Sequence, residues 1–215
     1  MPEHRRIIFV LGGPGSGKGT QCSKLVSSYD NVVHFSAGDL LRAETSSGTD
    51  LGNMISQMIK EGQIVPGHIT IELLRKAIYS HPNSKNSTFL IDGFPREMKQ
   101  AVDFENEVCK CEFVLFFECP EAELEKRLLH RGETSGRSDD NMESIRKRFK
   151  TFVTQSLPVI DYFEKQGRVR RVNSCRPIES VYNEVSSLVK PQDFSFTGFF
   201  AFAALLAVQI ALTRK

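Results

Sequence analysis

Several features that would assign this chain to a non-enzymatic class are missing. Five cysteines (Cys22, Cys109, Cys111, Cys119, Cys175) include no C-x-x-C pair, and their odd number argues against a disulfide framework. Cys109 and Cys111 stand two apart with no matching second pair, so a zinc site is not expected; buried or idle thiols of a reducing compartment are. Charge of one sign is also lacking. With 28 Lys and Arg against 26 Asp and Glu the net charge is +2, so any positive field must be local. There is no long basic stripe and no aromatic stacking platform, so no nucleic-acid partner is expected. Internal repeats and low-complexity linkers are absent. Positions 1–6 lead straight into an apolar run, and no signal peptide is expected. What remains is 215 residues at 40% hydrophobic content, enough for one α/β domain with small insertions.

That domain is organised around one stretch. Ile7-Ile8-Phe9-Val10-Leu11 reads as a buried strand, too short for a helix. A glycine-rich loop follows, Gly12-Gly13-Pro14-Gly15-Ser16-Gly17-Lys18-Gly19-Thr20, and a helical run begins near Lys18. From Gly12 the spacing is G-x-x-x-x-G-K, the pattern of a loop that cradles phosphate. Glycines let successive backbone N–H groups converge on anionic oxygens, the helix N-terminus adds its field, and Lys18 supplies a full charge. The position after the lysine, usually Ser or Thr as a magnesium ligand, is Gly19, with Thr20 one place later. Magnesium is therefore expected to be held through water.

Further strands are expected at Val32–Phe35, Thr88–Ile91, Phe113–Phe117 and Val169–Val172, the last interrupted by Arg170 and Arg171. The first helix, over 21–29, should turn Leu25 and Val26 inward. Asp39 is the candidate N-cap of a helix carrying Arg42. Leu51–Lys60 should present Leu51, Ile55, Met58 and Ile59 on one face, with Gly62 closing it and Pro66 in the next turn. Thr70–Tyr79, Glu121–His130, Met142–Lys165 (broken or bent by Pro158) and Ile178–Val189 are the remaining expected helices. Strands alternating with helices imply a five-stranded parallel sheet covered on both faces, with ligand loops at the strands' carboxyl ends. Asp92, directly after an apolar strand, stands where a phosphate-loop enzyme keeps its magnesium-organising carboxylate. It is also ordinary turn chemistry before Gly93.

Arg127, Arg131 and Arg137 bracket Gly132-Glu133-Thr134-Ser135-Gly136, which has no apolar anchor. Small polar residues between arginines describe a mobile flap that carries charge over a polyphosphate. Asp139 and Asp140 would latch it through ion pairs or cap the next helix.

These segments resemble the short-lid nucleoside monophosphate kinases, the group of adenylate kinase and UMP-CMP kinase, from Arg6 to about Val189. Gly-Gly-Pro-Gly-Ser-Gly-Lys-Gly-Thr-Gln at 12–21 is similar to that group's phosphate loop. Ser36-Ala37-Gly38-Asp39-Leu40-Leu41-Arg42, Gly62-Gln63-Ile64-Val65-Pro66 and Asp92-Gly93-Phe94-Pro95-Arg96 resemble its acceptor motifs, and 131–141 its lid. The resemblance implies a kinase domain over 1–190 with the phosphate-loop nucleoside triphosphatase (P-loop NTPase) fold, a monophosphate-binding insertion at 36–65 and a lid at 131–141. It also implies transfer of the γ-phosphoryl of MgATP to a nucleoside monophosphate. By the same likeness Gly13, Pro14, Gly15, Ser16, Gly17, Lys18, Gly19 and Thr20 hold the ATP phosphates, while Arg127 and the main chain at Arg176 meet the ATP base. Arg42 and Arg96 grip the acceptor phosphate, with Ala37, Gln63, Ile64, Val65, Gly93, Phe94 and Gln100 around the acceptor. Lys18, Arg131, Arg137 and Arg148 act on the phosphoryl in flight, and Asp92 orders Mg2+ through water.

Ala37, Phe94 and Ser138-Asp139-Asp140-Asn141 lean toward UMP-CMP kinases, whereas Gln100 looks like the adenine-reading glutamine of adenylate kinases. UMP and CMP are expected as preferred acceptors and AMP as a side substrate. The alternatives are AMP preference or a tethered scaffold without turnover. The expected state is a monomer in the cytoplasm, with the nucleus a second compartment. Phe194–Leu212 carries no charge and ends at Thr213-Arg214-Lys215. In the 191–215 tail it reads as a membrane anchor or as an extension packed on the domain or a partner.

Overall fold

The computed structural model describes residues 5–82, 84–135 and 139–190. Its centre is a parallel sheet of β1 (Arg6–Gly12), β2 (Val32–Ser36), β3 (Thr88–Asp92), β4 (Cys111–Glu118) and β5 (Val169–Asn173), in the order β2-β3-β1-β4-β5. The most apolar strands take the middle because both their faces must be covered. Ile7, Ile8, Phe9 and Val10 of β1 are all fully buried. β5 lies at an edge, which lets Arg170 and Arg171 point to solvent within a strand.

Helices α1 (Lys18–Ser28), α2 (Ala37–Thr45), α3 (Asp50–Lys60), α4 (Gly67–Ser80) and α5 (Met98–Glu107) come from the first half of the chain. The second half adds α6 (Glu121–Ser135), α7 (Met142–Thr151), α8 (Leu157–Glu164) and α9 (Ile178–Val189). Alternate strand residues feed two cores. Phe9 packs edge-on against Phe94, Phe104 and Phe163 on the face covered by α4, α5 and α8. Ile8 and Val10 meet Leu25 of α1 and Val181 and Val185 of α9 on the other. A small third cluster, Leu41, Ile55 and Val65, holds the α2–α3 excursion together.

Several expectations need correction. Val26 and Leu51 are each 40% exposed, because neither helix has a second element to cover that part of its face. Asp39 does not cap α2; Ser36 does, accepting from the Asp39 N–H at 3.1 Å, which leaves Asp39 inside the first turn where its charge suits the helix dipole. The expected interruption near Pro158 is present: Phe152–Ser156 widens into a π turn that separates α7 from α8, and Pro158 lies in the first turn of α8, where a missing N–H costs no helical hydrogen bond. The helix α5 is an addition, carried by Met98, Ala101 and Phe104 at three-residue spacing. Residues 132–135 are helical rather than a loop, being the last turn of α6.

Candidate active site

β1, α1 and the intervening loop form the floor. Gly15 has φ +85°, and a Cβ there would stand 2.8 Å from the Leu124 carbonyl oxygen, so both backbone sign and space require glycine. The Lys18 Nζ folds back over the loop, donating to the Gly12 and Gly13 carbonyls at 2.9 and 3.0 Å and to Ser16 Oγ at 3.3 Å. Burial pushes its pKa down to about 8, and the cations Arg96 and Arg148 push the same way against the opposing pull of Asp92.

Asp92 ends β3 in register with Val10 of β1 and Ser36 of β2. Its Oδ2 lies 3.4 Å from His34 Nε2 and faces Gly19, whose lack of a side chain leaves the carboxylate in view of the loop. Arg96 follows on the β3–α5 connection, its Nε donating to the Gly93 carbonyl at 2.9 Å. Burial lowers its pKa to about 10, so it stays charged at neutral pH. Arg42 pairs with Asp39 on α2.

The roof comes from α6 and α7. Arg131 makes a bidentate pair with Asp140, Nε to Oδ2 at 2.7 Å and Nη2 to Oδ1 at 2.6 Å. Burial opposes the charge on Arg131, but the Asp140 carboxylate outweighs it and the pKa is raised. Arg148 Nη1 lies 2.8 Å from Asp139 Oδ2 and 3.2 Å from Asp140 Oδ1. Of the two roles open to the aspartates, they take the ion pairs; the cap on α7 is Asn141. Arg127 donates to Glu123 Oε1 at 2.8 Å and to the Ser174 carbonyl at 3.1 Å.

Floor and roof enclose one cavity of about 910 Å3. Its wall brings together Pro14, Gly15, Ser16, Gly17, Lys18, Gly19 and Thr20 with Asp92, Gly93, Arg42 and Arg96, and with Arg127, Arg131, Arg148 and Arg176. Other expected positions stand back from it. Gly13 lies behind the loop against Leu124, and Ala37 is buried. The Phe94 ring is fully buried between Phe9 and Phe104. Gln100 is buried too, accepting from the Arg96 N–H at 3.0 Å and donating to the Val65 carbonyl at 3.3 Å. Gln63 is exposed and Ile64 half-buried just before the buried Val65. Arg137 and the tail are outside the described residues.

The wall also holds His34, Thr151, Phe152 and Ser156, which sequence reasoning passed over. β2 runs beside β3 with Ser36 opposite Asp92, and His34, two residues earlier on the same face of β2 as Ser36, is the residue that pairing would have flagged. Thr151 ties the roof to the excursion by donating to the Gly62 carbonyl at 2.9 Å, and Ser144 does the same to Lys60 at 3.0 Å. Among the described residues, no group of three or more His, Cys, Asp or Glu converges to hold a metal by itself. No described helix is long and apolar enough to cross a membrane.

The profile of the adenylate kinase family matches residues 10–168. The chain belongs to that family. It is 55% identical over 190 residues to a uridylate kinase of Saccharomyces cerevisiae, covering 88% of this chain and 93% of the relative. It is 57% identical over 188 residues to UMP-CMP kinase 3 of Arabidopsis thaliana, covering 86% and 90%. Adenylate kinase isoenzyme 1 of Rattus norvegicus is 46% identical over 180 residues, covering 84% and 92%.

Proposed function

We propose that the protein transfers the γ-phosphoryl of MgATP to a nucleoside monophosphate, with UMP and CMP preferred over AMP, giving ADP and a nucleoside diphosphate. The observation that carries this reading is a single cavity with the loop and Lys18 on one side and Arg96, Arg131 and Arg148 on the other. Such a space suits a triphosphate meeting a monophosphate end to end. The pyrimidine preference draws support from the uridylate and UMP-CMP kinases among the relatives.

In this reading the loop amides and the N-terminus of α1 bind the ATP phosphates, and Lys18 exchanges its carbonyl partners for phosphate oxygens. Arg42 and Arg96 hold the acceptor phosphate in line. Arg131 and Arg148, joined by Arg137, neutralise charge spread over the transferring group. No strong base is needed, since positioning and charge neutralisation supply most of the rate. Arg127 and the main chain at Arg176 face the ATP base. Asp92 is a lone carboxylate facing Gly19, which suits the water shell of the magnesium that arrives with ATP better than direct ligation. Held there, the ion would supply positive charge to the phosphates during transfer. Closure of the roof over the excursion excludes water, whose attack on ATP is the competing reaction.

The base preference rests on Ala37 and Gln100. The Gln100 amide is already engaged on both ends, which fixes its orientation beside Val65 and leaves it one further donor and one further acceptor position. Initial rates with UMP, CMP and AMP at matched concentrations test the preference. A pyrimidine should lead; AMP exceeding both by about tenfold, or 1.4 kcal/mol, would reverse the assignment. For the tail, carbonate extraction of cell membranes separates the two readings: retention with the membranes supports an anchor, and full release opposes one.

A further inference from the structure

Cys119 and Cys175 are 56 residues apart in sequence, yet their Sγ atoms lie 3.0 Å apart in thiol–thiol contact. Both are free cysteines, Cys175 exposed and Cys119 half-buried. Cys119 is the first residue beyond β4, and Cys175 sits in the turn between β5 and α9. The backbone around them is already pinned. The Ser174 N–H and Oγ both donate to the Glu118 carbonyl, at 2.9 and 2.8 Å, and the Cys175 N–H donates to Asn173 Oδ1 at 2.9 Å. A covalent link therefore needs an approach of about 1 Å by side-chain rotation, not a refolded loop.

We propose that Cys119 and Cys175 form a reversible oxidative modification site, a disulfide that stiffens the ATP-base side of the cavity. The residues flanking Cys175 carry the connection: Ser174 and Arg176 both line the cavity, and the Ser174 carbonyl accepts from Arg127. Neither cysteine lines it, so the reduced pair leaves the nucleotide route open. The oxidant is hydrogen peroxide. The exposed Cys175 thiolate attacks the peroxide oxygen, giving a sulfenic acid and releasing water. The Cys119 sulfur then displaces the sulfenic oxygen as a second water, forming the S–S bond. Two thiols lose two electrons and two protons, and the peroxide takes up both. Burial and the neighbouring Cys175 push the Cys119 thiol up to about 11, so the second step accelerates as pH rises. A dithiol reductant reverses it. The other cysteines do not compete for this link: Cys22 and Cys111 are buried, and no Sγ contact joins Cys109 to another thiol among the described residues.

The effect on ATP rests on the kinase reading; the link itself does not. The full chain is treated with hydrogen peroxide, and peptides are mapped by mass spectrometry beside steady-state kinetics. The expected result is a Cys119–Cys175 peptide lighter by two hydrogens. A several-fold rise in KM for ATP should accompany it, with KM for the acceptor unchanged and full recovery in dithiothreitol. Cys175→Ser should abolish both changes while keeping the activity of the reduced enzyme, and Cys119→Ser should leave a dimedone-trappable sulfenic acid at Cys175. Peroxide that modifies Cys109 while Cys119 and Cys175 stay unlinked overturns the proposal, and so does a linked protein with an unaltered KM for ATP. If the reduced protein has no kinase activity, the kinase reading fails while the linked peptide still reports on the site.

Discussion

The two sides of the cavity hold their cations by opposite means. Lys18 rests on neutral acceptors, two backbone carbonyls and a hydroxyl, within a loop whose path is dictated by glycine at fixed spacing. Arg131 and Arg148 rest on the carboxylates of Asp139 and Asp140, supplied by the connection between two helices. In the proposed reading, a phosphate oxygen would displace a carbonyl from Lys18 and gain charge neutralisation. At Arg131 it must compete with a full negative charge already in bidentate geometry. On the proposed reading the floor would receive a polyphosphate on neutral acceptors, while the roof would have to trade one set of anionic partners for another.

The contrast can be broken most severely at the floor. Lys18→Ala should lower kcat/KM for ATP by about 10³-fold, as removal of a charge-stabilising donor does elsewhere, with circular dichroism and melting unchanged. Near-normal turnover would remove Lys18 from the phosphate role. Gly15→Ala adds a Cβ at φ +85° and 2.8 Å from a backbone oxygen, and should cost about 3 kcal/mol in denaturant unfolding. At the roof, Asp140→Asn removes a buried acceptor from Arg131 and Arg148 and should cost about 2 kcal/mol.

A pH profile sharpens the comparison. With its pKa pushed down to about 8, Lys18 carries its charge below that value and loses it above, so kcat/KM for ATP should fall about tenfold per pH unit beyond 8. Asp140→Asn should leave that break in place, because the cause is burial at the floor. The smallest effect belongs away from both sides: Val26→Ser, at a 40% exposed position, should change stability by less than about 0.5 kcal/mol.

How far the molecule could be read from its residues follows the same division. The five strands were legible because apolar runs such as Ile7–Leu11 and Phe113–Phe117 must be buried on both faces. The path of the loop was legible because glycine at fixed spacing marks positions such as Gly15 and Gly17, where φ is positive. α5 was not, since only Met98, Ala101 and Phe104 carry its inward face in a ten-residue segment of which six residues are polar or charged. The roof was half legible. Arginines and aspartates announced ion pairs, but their pairing depends on α6 continuing through Ser135 despite Gly132. Gly132 survives in the helix because a Cβ there would stand 2.6 Å from the Asp140 carbonyl oxygen, a contact between elements that no local pattern reports. Inward placement of Val26 and Leu51 failed for the same reason: helical periodicity gives a face, and only the neighbouring elements decide how much of it is covered.

The central claim is that one cavity seats a donor triphosphate and an acceptor monophosphate together. Calorimetric titration with adenosine and uridine joined through five phosphates tests it most directly. The account predicts binding roughly 10²-fold tighter than ATP alone, since both ends engage at once, with Lys18→Ala and Arg96→Ala each removing most of the gain. An affinity equal to that of ATP, unchanged by Arg96→Ala, would contradict it.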